Sequence, residues 1–409
     1  MRLFAAGSNS DGQLGIGHAD DVAVLTPCIG GGDAFPPKGW LVHEVASTAT
    51  ATAVLCRHSA RTAACELWIA GAWAGGAHST SFVRVDVCAL ARAAGVEARA
   101  IQCIGAAWDA VYVAVQTPSG DQIVAVGTSN AFGQLGARAA APMSHVHRVH
   151  VESALRDVAW RARDAPANGT LRIQSLVGGV RHVLASVDVL CDGAVVGHGV
   201  VGWGHARHGQ LGLVRGSDGP GRRGVQWTPA MLFLWGAAES TLAAGMQHSV
   251  VRVQCAGQRG AVLLGLGSHR QGQLDWSVLR AAGAEILLPQ DPPPVPAIGV
   301  LDVVPACNWH STQYLCAGST VVAAGASQHG QTAAPPHAGA VPETSSHEAA
   351  LRAGSEHTLW LSASGHVYGW GWNEHGNLGH NPESVHAAVL LCDGARGAWA
   401  GKGTSFVAV

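Results

Sequence analysis

The chain has 409 residues, and 48 % are hydrophobic, which excludes a disordered polymer and supplies apolar surface for a large core. Only 13 % are charged and the formal net charge is −2, so no global charge draws it to nucleic acid or an anionic membrane. Glycine stands out at 54 residues without a Gly-X-Y period, which excludes collagen and favours an all-β fold with many tight turns.

The first predicted element is an apolar strand, Leu3-Phe4-Ala5-Ala6-Gly7, running into Ser8-Asn9-Ser10-Asp11-Gly12-Gln13-Leu14-Gly15. It turns polar too early for a secretory signal. Leu67-Trp68-Ile69-Ala70-Gly71-Ala72-Trp73 is a degenerate copy. The Ala-rich stretch Val87 to Ala100 predicts a short helix. The pattern returns at Asn130-Ala131-Phe132-Gly133-Gln134-Leu135-Gly136, then at Trp203-Gly204 through Gly209-Gln210-Leu211-Gly212. Further copies are Gly267 through Gly272-Gln273-Leu274 and Gly325 through Gly330-Gln331, with a second helix expected over Val278 to Ile286. The last is Trp370-Gly371-Trp372-Asn373-Glu374-His375-Gly376-Asn377-Leu378-Gly379. Loops are expected at Gly216 to Gly224, Gln290 to Pro296 and Pro335 to Thr344. No run of 18 apolar residues predicts a membrane helix.

A second motif runs in phase with the first. Gly-x-x-His opens a strand at Gly179-Val180-Arg181-His182, Gly245-Met246-Gln247-His248 and Gly354-Ser355-Glu356-His357. Weaker copies are Cys307-Asn308-Trp309-His310 and Gly105-Ala106-Ala107-Trp108. The final copy, Gly401-Lys402-Gly403-Thr404, has no partner downstream. Joined end to end, Thr404 would precede Gly12 by 17 residues, close to the regular phase. The array therefore reads as circular, with both termini supplying strands to one blade and few exposed strand edges. Gly7, Gly71, Gly127, Gly204, Gly267, Gly325 and Gly371 count seven blades, and residues 1–409 read as a single β-propeller domain.

The Gly-x-x-His strand followed by Trp-Gly-x-Asn-x-x-Gly-Gln-Leu-Gly resembles the repeat of the regulator-of-chromosome-condensation family of seven-bladed propellers. Ala353 to His357, Val367 to Asn377, Ala6 to His18 and Thr404 to Val407 are most similar to its fungal killer-toxin-insensitivity, or alpha-tubulin-suppressor, branch. The resemblance implies a non-enzymatic adaptor that forms a heterodimer with a small zinc-binding protein. That pair would support Elongator-dependent wobble-uridine modification of tRNA and diphthamide synthesis on translation elongation factor two, in the cytoplasm and secondarily the nucleus. The alternative is a guanine-nucleotide exchange factor or a chromatin-associated propeller. A chromatin binder should carry a basic tail or stripe, and Arg222-Arg223 is the longest Lys/Arg run read here.

No catalytic set emerges, and no cofactor or metal is expected. His182, His248, His310 and His357 recur once per blade, which suits hydrogen bonds within the repeat. His145, His147 and His150 cluster, but no Cys or carboxylate is placed to complete a zinc site, so a solvated loop is expected. His347-Glu348 lacks the second His of a zinc protease. Gly401-Lys402-Gly403-Thr404 lacks the Ser or Thr that a phosphate loop needs directly after Lys. The ten cysteines show no C-x-x-C pair and read as free thiols. The expected partner surface is the turn after the last repeat strand: Trp370, Trp372, Asn373, Glu374 and His375, with Glu356 from the preceding turn.

Overall fold

Short apolar runs broken by glycine turns pair with their chain neighbours, giving seven sheets in the computed structural model, antiparallel apart from one parallel pairing of Gly30 with Phe82. It describes residues 1–61, 63–138, 145–157, 169–212, 224–287, 295–333, 349–379 and 383–409. Blade 1 runs Trp40–Ser47, Ala51–His58, Cys65–Gly71, Ser79–Val85. Blade 2 runs Ala100–Ala106, Ala110–Thr117, Gly120–Gly127, Val146–Val149. Blade 3 runs Thr170–Gly178, His182–Cys191, Ala194–His205, Val225–Trp235. Blade 4 takes Ala238–Ala244, His248–Cys255, Ala261–Gly267 and Ala297–Val300, blade 5 Val303–Cys307, Ser311–Cys316 and Thr320–Gly325. Blade 6 takes Ala350–Ala353, His357–Leu361, Val367–Gly371 and Val385–Cys392. Blade 7 joins the ends: Gly397–Ala400 and Thr404–Ala408 pair onward to Leu3–Gly7 and Val22–Pro27. The first strand of every blade touches the first strand of the next, from blade 1 round to blade 7 and back. That cycle closes a seven-bladed propeller.

The core lies between the facing sides of adjacent blades. Tyr112 and Val151 of blade 2, for example, pack with Ile173, Val183 and Trp203 of blade 3. The repeat motif explains how each blade ends. The buried Gln13, Gln134, Gln210, Gln273 and Gln331 each accept the N–H of the residue two places earlier. Asn9, Asn130 and Asn373 accept the N–H of Leu14, Leu135 and Leu378, five residues on. The side chains thus answer backbone donors that the turn would otherwise strand. Gly12 and Gly376, at φ +71° and +75°, take the left-handed conformation these turns require.

The Gly-x-x-His motif braces one blade against the next. His182 Nε2 bonds Ser249 Oγ at 2.8 Å, His248 Nε2 bonds Thr312 Oγ1 at 3.0 Å, and His357 Nε2 bonds Ser405 Oγ at 3.1 Å. A methyl group at Gly354 would come within 2.4 Å of the Gly401 carbonyl of the next blade, so only glycine admits this approach. His310 does not belong to the set. His182, His248 and His357 pair across their hairpins with Gly204, Gly267 and Gly371, and the residue so placed against Gly325 is Ser311. His310 therefore lies one position before the place that the motif histidine fills in the other blades.

Other expectations need adjustment. Leu67 to Trp73 is a true copy of the repeat despite its degenerate sequence: Cys65–Gly71 is the third strand of a complete blade. The Trp370 repeat belongs to blade 6, the neighbour of the closing blade. His147 lies on the strand Val146–Val149 opposite Ala125, not in a solvated loop, while His150 Nδ1 meets Glu152 at 3.0 Å. The two helices form at Val87–Ala93 and Ser277–Ala281. The ten cysteines are free thiols. Gly216 to Arg223, Gln290 to Pro294, Pro335 to Thr344 and His347-Glu348 lie outside the described residues.

Two predictions follow from closure and bracing. Deleting Gly401 to Val409 removes a strand whose five residues, Thr404 to Ala408, are all buried. Differential scanning fluorimetry should show a much lower melting temperature or aggregation; an unchanged value would mean the ring does not depend on this strand. Burial also holds His182 and His248 down at about 3 and His357 at about 4, against an ordinary 6.5. Between those values the unfolded chain binds protons that the folded chain refuses. Stability from these sites is full above pH 6.5 and is lost as pH falls below it. The slope of melting temperature from pH 6.5 to 4 should be shallower in His357→Asn; an identical slope would remove His357 from this account.

Candidate functional site

The turns that carry the histidine motif gather at one end of the ring. In these turns Ala49, Trp108, Met246, Trp309 and Ser355 each donate their backbone N–H to a carbonyl of the following blade: Trp108, Val180, Trp309, Ser355 and Gly401 respectively. The collar encloses a funnel of about 610 Å³, walled by Trp108, Trp309 and Trp372. Below the collar a second space of about 550 Å³ is lined by the innermost strands of all seven blades. Trp309 and Lys402 line both spaces, so they form the waist between them.

Blade 6 builds one wall. Glu356 Oε1 meets His310 Nδ1 at 2.8 Å, and Glu356 Oε2 accepts from Gln331 Nε2 at 2.8 Å. The Glu356 hydrogen bond and charge raise the His310 pKa above its ordinary value. Trp372 Nε1 donates to Glu374 Oε2 at 3.2 Å, and its ring stands edge-on to His375 with centroids 5.2 Å apart. His375 Nδ1 in turn meets Asp21 Oδ2 of blade 7 at 2.6 Å. A methyl group at Gly403 would lie 3.3 Å from the Trp372 ring, so this indole rests against the turn that carries Lys402.

Four expected surface residues therefore converge: Glu356, Trp372, Glu374 and His375. The other two face inward. Trp370 is fully buried, with Nε1 donating to the Gln331 carbonyl of blade 5 at 3.1 Å. Asn373 is fully buried and caps its own turn through the Leu378 N–H. Both hold the loop in place and offer no surface of their own.

Sequence reasoning missed three features. As a sequence, Lys402 reads as part of the final motif copy and as a failed phosphate loop, with no site role; burial alone lowers its pKa to about 8. Trp108 and Trp309, from blades 2 and 5, meet with ring centroids 5.4 Å apart, a pairing no linear spacing signals. Glu44, in the lower space, accepts the Ile104 N–H at 3.0 Å, and burial pushes its carboxyl up to about 7. A separate buried network links Asp188, His198, Ser240 and Ser186 at 2.8–3.3 Å. Ser240 donates to Ser186 and meets His198, so this set ties blade 3 to blade 4. Among the described residues no group of three or more His, Cys, Asp and Glu could hold a metal.

Comparison with known proteins agrees with this architecture. A family model described as the regulator of chromosome condensation (RCC1) repeat matches residues 349–377, the first three strands of blade 6. No curated protein matches the sequence. The chain is similar to the crystal structure of human WBSCR16, with TM-score 0.61 and 15 % identity over 99 % of this chain and 98 % of that one. It is similar to Prp20p from Saccharomyces cerevisiae, described with its binding properties to Gsp1p and histones, with TM-score 0.60 and 15 % identity over 99 % and 90 %. The same yeast protein bound to Kap60 gives TM-score 0.61 and 15 % identity over 99 % and 88 %. The fold is the seven-bladed β-propeller of the RCC1 type.

Proposed function

We propose that this propeller is a non-enzymatic adaptor that docks a partner protein on the funnel face. The observation that carries the reading is the wall built by Trp372, Glu374, His375 and Glu356 beside a tryptophan-lined opening. Trp372 is only half-buried, and an indole can remove about 150–250 Å² from water at an interface. A chain with net charge −2 should bind through such an anchor rather than through long-range attraction. For the partner we propose a small zinc-binding protein, and through it support for Elongator-dependent tRNA modification and diphthamide synthesis. The similarity of Ala353 to His357 and Val367 to Asn377 to the killer-toxin-insensitivity branch supports that choice. A cytoplasmic heterodimer goes with it.

The likeness to Prp20p favours one competing reading, an exchange factor or chromatin-associated protein. It predicts faster nucleotide release from a small GTPase mixed with the chain.

The adaptor reading is tested by calorimetry with the small zinc protein. Trp372→Ala combined with Glu374→Ala should weaken binding about 30-fold or more, at roughly 1.4 kcal/mol per tenfold, with little change in melting temperature. Unchanged affinity would move the interface to another part of the ring.

A further inference from the structure

Lys38 and Lys402 are the only lysines in the chain. Lys402 stands between Gly401 and Gly403 at the waist of the axial channel, the one Lys or Arg among the described residues lining the funnel. Its ammonium has no hydrogen-bond or ion-pair partner among the described residues. The carboxylate nearest in function, Glu356, has both oxygens committed, to His310 and to Gln331. In the space below, Glu44 is engaged by the Ile104 N–H, and Arg352 and Arg57 are the cations that act on it. Burial is the sole influence that depresses the Lys402 amine. A second donor at the waist is equally unanswered: Trp309 Nε1 is buried with no acceptor. Lys402 is half-buried and keeps access to the funnel, whereas the buried Trp309 donor without an acceptor costs stability in the free chain. A ligand that supplies the acceptors recovers that cost on binding.

The chemistry of the ligand follows from what the collar lacks. Phosphate sites usually gather several cations or a nest of free backbone N–H groups. Here five of the collar N–H groups are already bonded to neighbouring carbonyls, and one cation is present. A carboxylate, with one charge and two acceptor oxygens, matches one ammonium and one indole N–H. The funnel is far larger than a single ion, and its tryptophan walls suit apolar groups on either side of the acid. We propose that the funnel receives one acidic side chain carried on an apolar loop of the partner, its carboxylate accepting from Lys402 and Trp309 while its neighbours rest on Trp108 and Trp372. This rests on the adaptor reading and names the feature of the partner that the funnel selects.

The probe is a blocked peptide, acetyl-Gly-Leu-Glu-Leu-Gly-amide, titrated into the full chain beside its Gln counterpart and followed by tryptophan fluorescence. The Glu peptide should bind at least about 30-fold more tightly, the loss expected when one side of a buried charged pair is removed. Lys402→Gln should abolish the preference and Lys402→Arg should keep part of it. Chain grown on ¹³C-lysine gives two ε-carbon signals, assigned with Lys38→Arg. The Lys402 signal should titrate near pH 8 in the free chain and at higher pH when the Glu peptide is bound. The other ionisable groups facing this region are His310, His329, Glu356 and His375 in the funnel and His43, Glu44, Arg57, Cys103, Cys307 and Arg352 below, with His182 and His357 close enough to feel the Lys402 charge, and none changes between the two peptides. Equal affinity for both peptides, binding of neither, or a response at Lys38 alone would overturn the proposal. The native-chain measurements decide it even where Lys402→Gln fails to fold. None of them uses the zinc protein. Loss of peptide preference with zinc-protein binding intact removes the carboxylate and keeps the adaptor, and the converse result does the reverse.

Discussion

Everything in this molecule depends on the approach of seven backbone turns to one axis. At that distance one blade's turn meets the next blade's carbonyl, and a side chain has no room where Gly179, Gly245 and Gly354 stand. The glycine excess, the cross-blade histidine bonds and the central collar are consequences of this one packing demand. It also decides what the protein can present. Because the collar donates its N–H groups inward to its neighbours, recognition at the axis falls to side chains, and only a few positions in the turns can supply them.

Most of the fold was legible because it repeats. A turn that needs a left-handed glycine, a buried glutamine and a buried leucine writes the same letters each time it recurs, as at Gly12-Gln13-Leu14 and Gly209-Gln210-Leu211. Circular closure was legible from the phase of Thr404 against Gly12. Failures came where the fold accepts substitutes. Alanine at 51 and 110 and serine at 311 fill the histidine position without leaving its signature. Without the histidine the sequence does not fix the phase, and the neighbouring His310 imitates the motif one residue from the position paired with Gly325.

The candidate site was half legible for a different reason. Trp372, Glu374 and His375 are neighbours in the chain, so local pattern reached them. Trp370 and Asn373 share that neighbourhood, but strand alternation and the turn's own hydrogen bonding turn them inward. Trp108, Trp309 and Lys402 come from blades 2, 5 and 7. Only closure of the ring brings them together, and one sequence carries no mark of that meeting.

The histidine braces are spread unevenly, and this gives the ring a chemical asymmetry. The joints between blades 3 and 4, 4 and 5, and 6 and 7 each hold an imidazole–hydroxyl bond. At the joints on either side of blade 2 the same position is alanine, which cannot bridge. Those joints are held instead by the two largest apolar clusters and by Trp203 Nε1 donating to the Gln134 carbonyl at 2.9 Å. The ring is thus sewn with two kinds of seam, one made by imidazoles and one by apolar packing around blade 2, and acid that charges the imidazoles would loosen only the first kind.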